Sequence, residues 1–255
     1  MINTKKKDLK TLFTLLGLKK KTNVLFHTSL LNFGKIEGGV KSIYNCARDI
    51  IGEEGNIIVP TFTYSYRINK VFDVNKSKSY PMIGVFSENI RNMRDSYRNT
   101  DPLFSFCCTG PDKQKLIERK SINCFGNKSV YVKLQKKNIL IVNLGITYST
   151  GLTAFLHIEK LANVSYRKDK IFSGTSINHQ GKKIFDKAKH FIRDDLFFKS
   201  HITNRERVGK ILEKKRISKV VKKKNHKHFS VKFNEFSEEV YNLLIKKPHI
   251  MIEKK

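Results

Sequence analysis

The sequence predicts an α/β fold built on a mostly parallel sheet, and three observations carry that expectation. "NVLFHTS" (Asn23–Ser29) and "NIIVPTFTY" (56–64) are short apolar runs that read as buried strands. Between them, "EGGVKSIYNCARDIIG" carries apolar residues at helical spacing, opening at Gly38-Gly39 and closing at Gly52. Strand, crossover helix and strand make a unit whose two strands lie parallel. The chain has 255 residues, enough to enclose a sizeable core in one large α/β domain.

Before this unit, Leu9, Leu12, Phe13 and Leu16 recur at helical spacing up to Gly17. After it, residues 64–82 are polar and irregular and read as a long loop. "IGVFSENIRNM" reads as a helix, "PLFSFCCTG" as a strand and "GPDKQKLIERK" as a short helix. "SVYVKLQKKN" reads as a helix leading into the strand "NILIVNLG", and "GLTAFLHIEKLANVSYR" as an amphipathic helix. "IFSGTSINHQGKKIFD" reads as a hairpin turning at "HQGK". His201 to Ile217 reads as a basic helix with Thr203 as its N-cap, the start of a basic helical insertion over about 201–228. "FSEEVYNLLIKKP" reads as a closing helix capped by Ser237 and stopped by Pro248. No repeat or linker divides the chain, so 1–255 reads as a single domain.

Lys and Arg number 51 against 22 Asp and Glu, a formal charge of +29, so the long-range field attracts anions. The lysines are spread along the chain, which equally suits a solvated, compositionally biased surface. Cys46, Cys107, Cys108 and Cys124 have no metal-ligand spacing and read as buried free thiols, with no metal site expected. The N-terminal apolar run is too short and interrupted for a signal sequence, and no stretch has the length of a membrane span. The expected location is the cytoplasm.

Four segments carry candidate chemistry. In "FHTSLLNFGKIEGGV" a strand ends in Thr28 and Ser29 and a helix opens after two glycines, which suits an anion near backbone N–H groups and also suits an ordinary turn. It has neither P-loop nor dinucleotide spacing. "VPTFTYSY" delivers Thr61, Thr63, Tyr64 and Tyr66 to a strand's C-terminal end, where open α/β sheets bind ligands. In "RNTDPLFS", Asp101 either caps a turn or faces a cleft. In "GLTAFLHIEK", His157 and Glu159 are two residues apart and cannot face one core together; an imidazole there could accept a proton with a carboxylate orienting it.

Taken in order, these segments resemble the antibiotic N-acetyltransferase family, the aminoglycoside 3-N-acetyltransferases and their relatives. The resemblance lies in His27-Thr28-Ser29-Leu30, Gly34 with Glu37-Gly38-Gly39, Pro60-Thr61-Phe62-Thr63, Arg98 with Asp101-Pro102 and Ser105, and Thr153 with Glu159, together with "TGPD" and "KPHIMIEK". It spans nearly the whole chain. It implies a three-layer α/β/α fold with a central mixed, mostly parallel sheet, acetyl-CoA as donor, and an amine acceptor. It also implies that His27, Thr28, Ser29, Leu30, Gly38, Gly39, Thr61, Thr63 and Ser105 lie along the cofactor. His157, Glu159 and Asp101 become the candidates for proton transfer.

Two positions depart from the family's pattern. Asp101 stands where a histidine precedes the proline, and Leu156 stands three residues before Glu159 where the family has a histidine, with His157 one step later. Either the helix is locally altered and His157 reaches the site, or Asp101 and Glu159 carry more of the proton chemistry, or activity is lost; the first is preferred. A +29 chain repels polycationic aminoglycosides and attracts anions, so the preferred acceptor is a nucleotide-linked amino sugar of surface-glycan synthesis, with aminoglycosides the alternative. Tyr64, Tyr66 and Phe72 are the candidates to stack on it. A non-catalytic nucleic-acid-binding role for the basic stretch ending in "KKKNHKH" stands as the alternative of another class, without the aromatic interleaving of a stacking platform.

Overall fold

The computed structural model describes residues 3–223 and 226–255. The chain opens with a short strand β1 (Asn3–Thr4), helix α1 (Lys6–Leu15) and the central strand β2 (Asn23–Thr28). A 3-10 turn (Leu30–Phe33) and strand β3 (Lys35–Ile36) lead into α2 (Lys41–Ile51) and β4 (Asn56–Pro60). Then come α3 (Tyr66–Asn69), β5 (Val71–Asp73), a 3-10 turn (Pro81–Ile83), α4 (Val85–Arg91), β6 (Tyr97–Arg98) and β7 (Phe106–Thr109). Helices α5 (Lys113–Ile117) and α6 (Val130–Lys136), strand β8 (Leu140–Leu144) and helix α7 (Ala154–Leu161) complete the central part. The remainder is β9 (Arg167–Ile177), β10 (Lys183–Arg193), α8 (Asp195–Ser200), β11 (His201–Thr203), α9 (Glu206–Lys214), β12 (Ser218–Lys223), β13 (His226–Lys232), α10 (Phe233–Lys246) and β14 (Ile252–Lys254).

Seven strands form the main sheet in the order β12-β13-β8-β2-β4-β7-β6. It is mixed: β2 runs parallel to β8 and β4 at the centre, and both flanks are antiparallel. The β2-α2-β4 unit is the crossover the sequence predicts. Side chains alternate across the sheet with the period of two of a strand. Val24, Phe26, Ile57 and Val59 enter a core shared with α1, α2 and α4. Leu25, Ile58 and Ile141 enter the opposite core with α5, α6, α7, α9 and α10. The strands are therefore buried on both faces, which makes three layers.

Several elements differ from the sequence reading. The stretch 64–82 is not all loop: α3 and β5 lie within it, and β5 joins β9 and β10 in a second sheet. The basic helix expected over 201–217 is a strand, β11, followed by the shorter helix α9, whose N-cap is Arg205 and not Thr203. β11 pairs with β14 about the far end of the chain, a long-range contact that overrides local helical periodicity. Most of "KKKNHKH" falls on the β12-β13 hairpin at the sheet edge, with Lys224 and Asn225 outside the described residues. Two of its lysines have carboxylate partners, Lys227 with Glu213 and Lys223 with Asp8 at 3.6 Å. α10 starts at Phe233, one turn before Ser237, whose buried hydroxyl caps nothing. The four cysteines are buried and free. No helix among the described residues is long and apolar enough to cross a membrane.

Candidate active site

Two clefts open above the sheet, and Tyr64 belongs to the walls of both. The first, about 390 Å³, lies outside the C-terminal ends of β2 and β4. His27, Thr28 and Ser29 form one end, Thr153, Gly151 and Thr150 the facing loop, and Pro60, Phe62, Met82, Ile83 and Ile146 the apolar sides.

The strand period explains His27. It has the parity of Leu25, so it points toward the α7 side, where its Nε2 lies 3.4 Å from Thr153 Oγ1. Thr153 Oγ1 is in turn 2.5 Å from the Tyr131 hydroxyl, so a phenol, a hydroxyl and an imidazole run in line from the core to the cleft. His27 Nδ1 has no partner among the described residues, nor has the buried Thr28 Oγ1. Asn143, the register partner of His27 on β8, is fully buried with both amide atoms unpartnered. Buried polar atoms rarely stay unpaired, so His27 Nδ1 and Thr28 Oγ1, on residues that line the inner end of this apolar slot, are suited to bonding a ligand. Burial pushes the His27 imidazole down to about 3, which holds it neutral near pH 7.

His157 reaches neither cleft. It is fully buried, stacked on Tyr131 with ring centroids 5.5 Å apart. The Gly126 N–H donates to its Nδ1 at 3.1 Å, and its Nε2 donates to Gln135 Oε1 at 3.1 Å. The two bonds fix one neutral tautomer and use both ring nitrogens. Burial pushes this imidazole to about 3 as well. Gly126 reaches its bonding position with φ +71°, a conformation that favours glycine. The one-residue offset between Leu156 and His157 thus leaves the imidazole in the core. Leu156 itself lines the second cleft.

Glu159 is also fully buried. Its Oε2 is 3.0 Å from Arg167 Nε and 3.0 Å from Arg205 Nη2, and the Tyr166 hydroxyl donates to Oε1 at 3.1 Å. It is the shared counter-ion of two guanidiniums beneath the second cleft. Asp101 Oδ1 accepts from the Leu103 and Phe104 N–H groups at 2.9 and 2.8 Å, which makes it a turn cap. Neither carboxylate lines the first cleft.

The other predicted residues divide in the same way. Thr61, Thr63 and Ser105 lie under the first cleft in a network around buried Arg98, which donates to Ser105 Oγ at 3.1 Å, Thr61 O at 2.6 Å and Thr63 Oγ1 at 2.7 Å. Leu30 packs against the α1-α2 core. Gly38 lines a separate depression with Lys35 and Glu37, and Gly39 is open at φ +70°. The Tyr66 hydroxyl donates to the Asp186 carbonyl at 2.9 Å, and Phe72 packs under Arg98; both are fully buried. Of the predicted set the first cleft therefore gathers His27, Thr28, Ser29 and Tyr64. The sequence reading assigned no role to Tyr131, Thr153 or Arg98, although Thr153 and Arg98 stand within the motifs it quotes.

Residues 25–244 match the family model described as aminoglycoside 3-N-acetyltransferase, and the chain belongs to that family. It is 26% identical over 212 residues to the SPbeta prophage-derived aminoglycoside N(3')-acetyltransferase-like protein YokD of Bacillus subtilis (strain 168), covering 74% of this chain and 75% of that one. Among solved structures it is similar to AAC-IIIb in binary complex with CoASH (TM-score 0.80, 17% identity, 96% of this chain and 97% of that one). It is also similar to AAC-VIa with bound sisomicin (TM-score 0.83, 17% identity, 96% and 99%). The three-layer fold with a mixed central sheet is thus the fold of these proteins.

Proposed function

We propose that the chain is an acetyl-CoA-dependent N-acetyltransferase in which the first cleft takes the donor. The observation that carries this reading is the unpartnered pair His27 Nδ1 and Thr28 Oγ1 at the end of an apolar slot, inside a chain whose family transfers acetyl groups. The slot fits the donor: Pro60, Phe62, Ile83 and Ile146 suit a pantetheine chain, and Thr28, Ser29 and Thr153 offer hydroxyls to its polar groups. The similarity to a CoASH complex supports the same reading. Acetyl-CoA supplies the activated acetyl group.

In the transfer, the acceptor nitrogen bonds to the thioester carbonyl carbon, the carbon–sulfur bond breaks, and the nitrogen's proton ends on sulfur. His27 is the group in the cleft that can carry that proton. Its neutral imidazole has a lone pair free at physiological pH, and the leaving thiolate favours the imidazolium while the proton is in transit. Thr153, held by Tyr131, orients the ring. On this reading His157, Glu159 and Asp101 are positioning and folding residues that do not touch the reacting atoms.

The acceptor is an amine on a sugar-like scaffold. The family match and the similarity to a sisomicin complex favour an aminoglycoside, and they offer no support for the glycan-synthesis role preferred from sequence. A second reading, an amino sugar that also carries an acid, is favoured by the charge of the second cleft. The test is thiol release from acetyl-CoA with gentamicin, glucosamine and glucosamine 6-phosphate as acceptors. Release with an amine, and none without, is expected. Tight CoA binding with no release from any amine contradicts the transferase reading.

A further inference from the structure

The second cleft, about 520 Å³, is unlike the first in charge. Arg67, Arg167, Lys170, Arg193 and Arg205 line it, against one lining carboxylate, Asp195. Beneath them Glu159 serves Arg167 and Arg205 together, one negative charge for two positive ones. No ion pair engages Arg67, Lys170 or Arg193 among the described residues; Arg67 lies over the Tyr64 ring at 4.5 Å and Arg193 over Phe198 at 4.9 Å. Four buried nitrogens here have no hydrogen-bond partner among the described residues: Arg67 Nε, Arg167 Nε, Arg205 Nε and His190 Nδ1, of which Arg167 Nε lies 3.0 Å from Glu159 Oε2 as an ion pair. His190 is only 7% exposed, so its unpartnered nitrogen is a built feature of the cleft wall.

Unpaired guanidinium and imidazole N–H groups in a partly desolvated hollow are recognition groups for oxyanions. A polycation placed there meets several like charges, each such juxtaposition being strongly unfavourable. Phe104, Phe172 and Ile192 add an apolar wall for the body of the ligand, and Tyr64 connects this cleft to the first. Leu156 replaces, on this wall, the family's histidine.

We propose that this second cleft is the acceptor side and takes an amino compound bearing a compact oxyanion, a phosphate, sulfate or carboxylate, seated against Arg67, Arg167 and Arg205. The assignment of the acceptor side rests on the N-acetyltransferase reading. The preference for an acid-bearing ligand rests on the cleft alone.

Calorimetric titration of the full chain with glucosamine 6-phosphate, glucosamine and gentamicin tests this without turnover. The phosphorylated sugar is expected to bind at least about tenfold more tightly than glucosamine. Arg67→Gln with Arg193→Gln abolishes that preference, and Lys19→Gln with Lys20→Gln, which removes the same charge from an exposed surface away from the cleft, keeps it. Both arginines are outside the Glu159 ion cluster, so the double variant folds. Equal binding of the two sugars, tighter binding of gentamicin, or a preference that survives the arginine changes overturns the proposal. Glucosamine 6-sulfate and free inorganic phosphate separate the sources of the oxyanion: weaker competition by phosphate alone than by the phosphorylated sugar supports an amino-sugar acid, and equal competition overturns it. A preference for the phosphorylated sugar with no thiol release from any amine removes the transferase reading and with it the acceptor assignment, while the anion preference of the cleft stands.

Discussion

The two clefts share Tyr64 and little else. The first is apolar, with hydroxyls and one neutral imidazole at its inner end, and it joins the C-terminal ends of β2 and β4 to the 3-10 turn at Pro81–Ile83 and the loop before α7. The second is cationic and is assembled from α3, α7, β9, β10 and the residue before α9, parts far apart in the chain. The contrast teaches that the two hollows suit different chemistry: on the proposed reading the apolar one takes the donor and the cationic one the acceptor. His157 belongs to neither: it is buried and bonds to Gly126 and Gln135 in the core.

Disrupting the floor of the second cleft has the largest expected effect. Glu159→Ala leaves Arg167 and Arg205 buried side by side without their counter-ion, and removing one partner of a buried pair costs about 3–5 kcal/mol. Chemical denaturation reads this loss, and a stability within about 1 kcal/mol of wild type shows that the cluster is less buried than described. A smaller loss is expected at the turn beside the sheet. Asp101→Ala leaves two buried N–H groups without an acceptor, at about 1–3 kcal/mol, and Asp101→Asn recovers part of it. Were Asp101 a proton carrier instead, the Asn variant would be stable and inactive.

Acid sharpens the comparison between the buried imidazoles. His27, His157 and His190 are held at about 3, below the ordinary histidine value of 6.5. The unfolded chain therefore takes up their protons first, so their contribution is complete above about pH 6.5 and is lost as pH falls from there toward 3, at up to about 1.4 kcal/mol per pH unit for each. His157→Gln, which keeps an acceptor for Gly126 and a donor for Gln135, makes the fall of the melting temperature between neutral and mildly acidic pH shallower. An unchanged slope means that the ring already titrates normally. The smallest expected effect is at the orienting hydroxyl: Thr153→Val, which cuts the link between Tyr131 and His27, slows turnover about fivefold, as for the loss of one hydrogen bond of about 1 kcal/mol.

What was legible in the sequence follows from how local each signal is. The β2-α2-β4 unit shows itself through buried apolar runs and a helical stripe, and the β9-β10 hairpin through its turn. Thr28 and Ser29 stand out in the sequence because strand ends are where α/β sheets bind ligands, and they line the first cleft; Thr61 and Thr63 at the end of β4 are instead bonded to Arg98 beneath it. β11 was not legible, because its partner β14 lies about fifty residues on and its own three residues look like a helix start. His157 was misplaced because spacing along a helix gives an angle and not the location of the neighbouring loop: Gly126, thirty-one residues back, supplies the N–H that holds the ring in the core. The second cleft was invisible as a motif. Only the overall excess of positive charge hinted at it, and no local pattern joins Arg67 to Arg167, His190 and Arg205.

The central claim is that His27, and not His157, is the imidazole of the reaction. Steady-state thiol release by folded His27→Ala and His157→Gln, using the best acceptor found for the wild type, tests it most directly. The account predicts that His27→Ala lowers kcat by about a hundredfold with CoA affinity retained, while His157→Gln alters stability and leaves kcat within about threefold of wild type. The reverse result, an active His27→Ala and an inactive, well-folded His157→Gln, would contradict it.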